Sequence, residues 1–211
     1  MTVRKYRLTP EIQQYGKEHI LAQAEYAPLS KRDLTLLHKY RDKRMLTLTG
    51  VESESLDFLA EWSQLRRLIT YGCRVADCTA LTRLKYLTDL FWNHYVSNRC
   101  QTDFSFLADL KHVEELGIGN APHLRSLPDL SKCKRLKRLN IFGCKRLNDI
   151  DSVTRIPKLE SFSIVSTPQV PRDLEKIMAM TTLKKMSGAF GSREKDAQFR
   201  QLLDKYGLVY G

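Results

Sequence analysis

No run of 18 apolar residues occurs in this chain, which excludes a membrane-crossing helix of ordinary length. Residues 1–13 are polar, with Arg4, Lys5 and Arg7 but none of the apolar stretch that a secretory signal requires. The expected location is therefore the cytosol. Cysteine is sparse: Cys73, Cys78, Cys100, Cys133 and Cys144 are odd in number and form no Cys-x-x-Cys. That argues against a disulfide framework or a zinc ribbon and for reduced packing residues. Phosphate loops of the Gly-x-x-x-x-Gly-Lys kind, a Gly-x-Ser-x-Gly elbow and His-Glu-x-x-His are all missing, and His19, His38, His94, His112 and His123 show no metal spacing. No cofactor, metal or catalytic residue is expected. Acids are also in short supply, with 24 Asp and Glu against 35 Lys and Arg, a net charge of +11.

What the chain does have is a period. Anchors at Lys43, Leu65, Leu87, Val113, Leu136, Leu159 and Leu183 begin successive copies of a Leu-x-x-Leu-x-Leu-x-x pattern, 22 to 26 residues apart. In the second copy Leu65, Leu68, Thr70, Cys73, Val75, Cys78, Leu81 and Leu84 hold places 1, 4, 6, 9, 11, 14, 17 and 20. Leu136, Leu139, Ile141 and Cys144 repeat places 1, 4, 6 and 9, and Leu147, Ile150, Val153 and Ile156 follow the same spacing one place later. Places 4 and 6 share one face of a short strand and point inward, while 3, 5 and 7 point out. One copy has only its neighbours to bury against, so the copies must stack.

This pattern resembles the leucine-rich repeat superfamily, its short internalin-like and phosphatase-regulator-like branch in particular. The resemblance implies an α/β solenoid with a curved parallel β-sheet on the concave face, an irregular or 3-10 convex side and helical caps at both ends. The expected organisation is an N-terminal helical cap over 1–42, about seven repeats over 43–191 and a C-terminal helical cap over 192–211. In the first cap, Thr9 and Pro10 start a helix along Ile12, Tyr15, His19 and Ile20, and Ser30 with Asp33 opens a second. In the last, Ser192 caps a helix carrying Phe199, Leu202, Leu203 and Tyr206, which Gly207 closes. Caps at both ends point to a free-standing monomer. Place 9, where the family usually has asparagine, reads Val51, Cys73, Tyr95, Ala121, Cys144, Thr167 and Gly191. Looser turns are expected after Val51, Tyr95 and Ala121.

Leucine-rich repeats usually bind proteins with the concave face, so the outward places 5 and 7 are the candidate site. Ile69, Tyr71 and Phe91 cluster on adjacent strands, with Asn93 beside them and Asn140 and Phe142 two strands on. Gly117 and Gly119 on the strand between predict a shallow depression among these rings. Aromatic residues facing water suit anchors of a protein interface. A longer loop over about Ser97 to Phe104 is a further candidate contact. His94 is placed on the outward edge, and pairing it with Cys73 as base and nucleophile is the weaker alternative. Arg66 and Arg67, Lys137 and Arg138, and Lys184 and Lys185 recur at the same two places and predict a basic edge to the sheet. Two functions follow. The first is a non-enzymatic module binding an acidic protein, by analogy an inhibitor or immunity-type protein. The second is nucleic-acid binding, with phosphates on the basic edge. A bacterial effector is a third reading, because Leu127-Pro128-Asp129-Leu130 faintly resembles the Leu-Pro element of secreted bacterial repeats.

Overall fold

The computed structural model describes residues 11–94 and 102–211. Ten strands form one open sheet in sequence order: β1 (Glu11–Tyr15), β2 (His19–Pro28), β3 (Met45–Ser55), β4 (Arg67–Asp77), β5 (Asp89–His94), β6 (Glu115–Gly119), β7 (Arg138–Phe142), β8 (Ser161–Val165), β9 (Lys185–Ala189) and β10 (Val209–Tyr210). All neighbouring pairs are parallel except β1 with β2. The register follows the repeat: Leu68 pairs with Leu90, Leu90 with Leu116, Leu116 with Leu139 and Leu139 with Phe162. Burial alternates along these strands as period-2 patterning demands, with Leu90 and Trp92 inward on β5 and Leu139 and Ile141 inward on β7. Parallel neighbours need a return path on the other side. Short 3-10 turns supply it at Asp57–Glu61, Thr79–Arg83, Phe104–Asp109, Asp151–Arg155 and Pro171–Leu174, the last running into the single turn α2 (Glu175–Met178). One apolar core runs without a break from Ile20 to Leu208 between the sheet and these turns.

The helix expected along Ile12, Tyr15, His19 and Ile20 does not form. Those residues build the β1–β2 hairpin, turned at Gly16 with φ +65°. Ile20, Ala22 and Ala24 alternate inward on β2, and Ile20 pairs beside Leu46 and Ala22 beside Leu48. β2 thus acts as one more rung below β3. Burying that row on an existing sheet outweighs a single isolated helical stripe, because helices gain most of their stability from packing. Thr9 and Pro10 lie outside the described residues. The second expected helix is present as α1 (Lys31–His38), with the Ser30 hydroxyl accepting from the Asp33 amide and the Asp33 carboxylate accepting from the Ser30 amide. At the far end α3 (Arg193–Tyr206) starts at Ser192 and stops at Gly207, whose φ of +66° is the left-handed closure expected there.

Place 9 also departs from expectation. No loose turn follows Val51, since β3 runs on to Ser55 and stays paired with β4 from Glu52↔Arg74 to Ser55↔Asp77. Strand pairing satisfies backbone groups that an asparagine would otherwise have to serve. In the later rungs cysteine takes part of that role. The Cys73 thiol donates to Leu48 O at 3.4 Å, and the Cys144 thiol to Phe142 O at 3.5 Å. Burial pushes the Cys73 thiol up to about 11 and raises that of Cys144, so both remain protonated donors at neutral pH. Cys73, Cys78, Cys133 and Cys144 are all buried. Cys100 and Tyr95, and residues 97–101 of the expected contact loop, lie outside the described residues.

Candidate partner-binding face

Three rings dominate the outward face. Phe91 and Phe142 stack across β6 with centroids 5.6 Å apart and planes 17° from parallel, and Tyr71 leans on Phe91 at 5.9 Å and 55°. The rings meet because β6 offers them no side chains. A Cβ on Gly117 would fall 2.6 Å from Phe91 Cδ2, and one on Gly119 would land inside the Phe142 ring. The expected depression over the glycines is therefore filled by the rings themselves, which close over β6 from both sides. Each ring still carries its burial only in part: Phe91 and Phe142 are half-buried, and Tyr71 remains 45% exposed.

Around the rings the other expected residues separate into those that join the face and those that do not. Ile69 is half-buried beside Tyr71 and Phe91, and Asn140 is exposed next to Phe142. Asn93 accepts from the Asn120 side-chain amide at 2.9 Å while its backbone amide donates to Thr70 Oγ1 at 3.1 Å, so it is held rigid. Ile69, Tyr71, Phe91 and Asn140, together with Arg67, Asp89, Glu115 and Gly117, border an open hollow of about 260 Å³. That lies below the roughly 300–1,000 Å³ of small-molecule pockets, and suits a protruding side chain better than a free ligand.

His94 is a correction. Its ring points inward, 3% exposed, not to the outward edge. Leu90, Trp92 and His94 alternate inward along β5, so His94 takes the inward place that period-2 patterning gives it, and the β4 pairing, which skips Gly72, sets Cys73 opposite it. Its Nε2 lies 2.9 Å from Thr102 Oγ1, and that hydroxyl donates to Val75 O at 2.6 Å. A hydroxyl has one hydrogen to give, so the histidine nitrogen is the donor in this pair. Cys73 and His94 do lie opposite one another, but the raised thiol and its bond to Leu48 O make Cys73 a poor nucleophile. Among the described residues no three His, Cys, Asp or Glu side chains gather as metal ligands.

The basic edge is largely neutralised from within. Arg67 holds Asp89 at 2.7 Å, Lys137 holds Glu114 at 3.1 Å, Arg138 meets Glu115, and Lys184 holds Glu160 at 3.2 Å. Arg135 also meets Glu114, and Lys137 first, then Arg135, keep that carboxyl below the usual glutamate range. Arg66 and Lys185 remain exposed, without an ion pair among the described residues. Glu114, Glu115 and Glu160 interrupt this edge in the sequence already, and Asp89 was its missed member. Its signal was available in the sequence, as an acid at the place Arg67 occupies one rung away.

An internalin, inlF, from Listeria monocytogenes has a similar structure, with a TM-score of 0.59 at 18% identity over 91% of this chain. The fold is a leucine-rich-repeat solenoid. This chain spans 59% of the internalin chain. A leucine-rich-repeat protein of Leptospira interrogans aligns over 92% of this chain and 89% of its own at 12% identity, but with a TM-score of 0.32, too low to support an argument. No protein-family model and no curated protein matches the chain. No helix among the described residues is long and apolar enough to cross a membrane.

Proposed function

We propose that this solenoid is a non-enzymatic protein-binding module, working in the cytosol as a monomer, that grips an acidic partner by its concave face. The observation that carries this reading is the array of Tyr71, Phe91 and Phe142 over the glycines of β6. Rings fixed by one another lose little freedom when a partner covers them, and aromatic anchors dominate the energetics of protein interfaces. Ile69 and Asn140 extend the apolar patch and give it a polar rim. The same geometry speaks against nucleic acid on this face. Bases need open ring faces to stack on, whereas Phe91 and Phe142 each present one face to the other. The surplus of cations along the leading edge supports an acidic partner, through faster association more than through tighter holding.

The test is capture from nuclease-treated native lysate at low and high salt, comparing wild type with the Tyr71→Ala, Phe91→Ala, Phe142→Ala variant once circular dichroism shows the variant folded. One stoichiometric protein that survives high salt, and whose affinity for the variant falls by about 2 kcal/mol or more, is the expected result. Equal capture by both proteins would sink the proposal. So would recovery of nucleic acid alone, at low salt only, from an untreated lysate.

A further inference from the structure

Along the leading edge of the sheet, from Arg66 to Lys185, acids and bases are not matched. Asp89, Glu114, Glu115 and Glu160 are each held in an ion pair. Lys85, Lys111, Lys134 and Lys158 are exposed and take part in no ion pair among the described residues. Their placement is regular. Lys85, Lys111 and Lys134 each stand two residues before the anchors Leu87, Val113 and Leu136, in the tight turn that feeds the strand, and Lys158 stands one residue before Leu159. Rungs of a sheet lie about 4.7–4.9 Å apart, so the four turns set their cations along a line roughly 15 Å long. Neighbouring ammonium groups at that spacing repel one another, and none of the four is held by a carboxylate among the described residues.

We infer that Lys85, Lys111, Lys134 and Lys158 form a docking ladder for an extended acidic segment of a protein partner, distinct from the aromatic concave face. This rests on the protein-partner reading above and names a second contact for it. An extended chain shows same-face side chains about every 6.6–6.8 Å, so three alternate carboxylates cover the line. Lysine suits them as a compact point charge with no directional fork. Single-strand nucleic-acid sites combine their phosphate contacts with stacking rings. The ladder offers Tyr86 alone, and the concave rings stand several residues further along the strands.

The probe is fluorescein-labelled decaglutamate, followed by anisotropy at about 50 mM salt, with a labelled oligothymidylate of about 15 nucleotides in parallel. Wild type is compared with K85Q/K111Q/K134Q/K158Q and with an equal-charge control, K17Q/K31Q/K39Q/K195Q, whose lysines are exposed elsewhere. The expected result is a loss of about tenfold or more in decaglutamate affinity for the ladder variant, with the control and the triple ring variant staying within about threefold of wild type. Equal losses in ladder variant and control would reduce the effect to net charge and overturn the inference. Tighter binding of oligothymidylate with the same lysine dependence would reassign the ladder to nucleic acid and also overturn it. So would absence of decaglutamate binding to wild type, or its loss in the ring variant. Failure of the concave-face proposal, read from lysate capture, leaves the peptide result standing.

Discussion

In five rungs the eighth residue bends the chain in the left-handed region. Gly50, Gly72 and Gly143 lie there at φ +62°, +62° and +66°, Asn120 at +49° and Ser166 at +54°. Asparagine tolerates this conformation better than most side chains, and the recurrence of glycine at one place of the repeat is plain in the sequence itself. What the sequence hides is how tightly the bend is packed. A Cβ on Gly50 would land inside the carbonyl oxygen of Ala24 on the neighbouring strand, whereas around Gly16, at φ +65° in the hairpin turn, nothing lies within 4 Å. The two glycines share a conformation and differ only in their surroundings. Gly16→Ala should therefore cost about 1–2 kcal/mol for backbone strain alone, and Gly50→Ala at least about 2 kcal/mol more, because β2 has to move. Urea unfolding of both variants measures the difference, and equal costs would mean that the Ala24 contact is immaterial.

Among the elements, cross-rung ion pairs form two rows. One follows the leading edge through Arg67–Asp89, Lys137–Glu114 and Lys184–Glu160, and the other follows the convex turns through Arg83–Asp57, Lys132–Asp109, Arg155–Asp129 and Lys176–Asp151. Residues some 22 to 26 apart in the chain become neighbours only through stacking, which is why a basic edge was legible and its neutralisation was not. The missed hairpin has a related cause. Ile12, Tyr15, His19 and Ile20 fit a helical stripe, while the competing strand signal in Ile20, Ala22 and Ala24 is weak because alanine has little side chain, and its decisive partner lies 26 residues away at Leu46. Glu114 tests the first row. Its carboxyl is held below the ordinary value by Lys137 and Arg135, so its contribution is present above the unfolded glutamate value and fades as pH falls through the lowered one. Glu114→Gln should lower Tm at pH 7 by about 1–2 °C, as expected for a largely exposed pair. The gap between the two proteins should close on titration toward pH 3, and a gap that stayed open there would assign the loss to packing.

At the scale of the molecule, each rung is stabilised by the rungs above and below it, and stability passes along the stack through contact between neighbours. The apolar core is continuous from Ile20 to Leu208, so the solenoid is expected to unfold as one cooperative unit. Two buried tryptophans report on one half only: Trp62 precedes β4 and Trp92 lies on β5. Phe162 sits fully buried on β8, between Leu139 and Met186, three strands beyond Trp92. Phe162→Ala removes a large ring from a close-packed site and should cost about 3–5 kcal/mol. If the rungs are coupled, that loss must appear equally in tryptophan fluorescence, which sees only the first half, and in circular dichroism, which sees the whole sheet. A fluorescence midpoint that stays at the wild-type value while the dichroism midpoint falls would show that the first rungs hold without the last. The concave face would then be built on a joint, since Tyr71 and Phe91 stand on strands of the first half and Phe142 on the rung next to Phe162. Coincident shifts would instead make the three rings a single rigid surface, the condition under which they can anchor a partner without first being ordered by it.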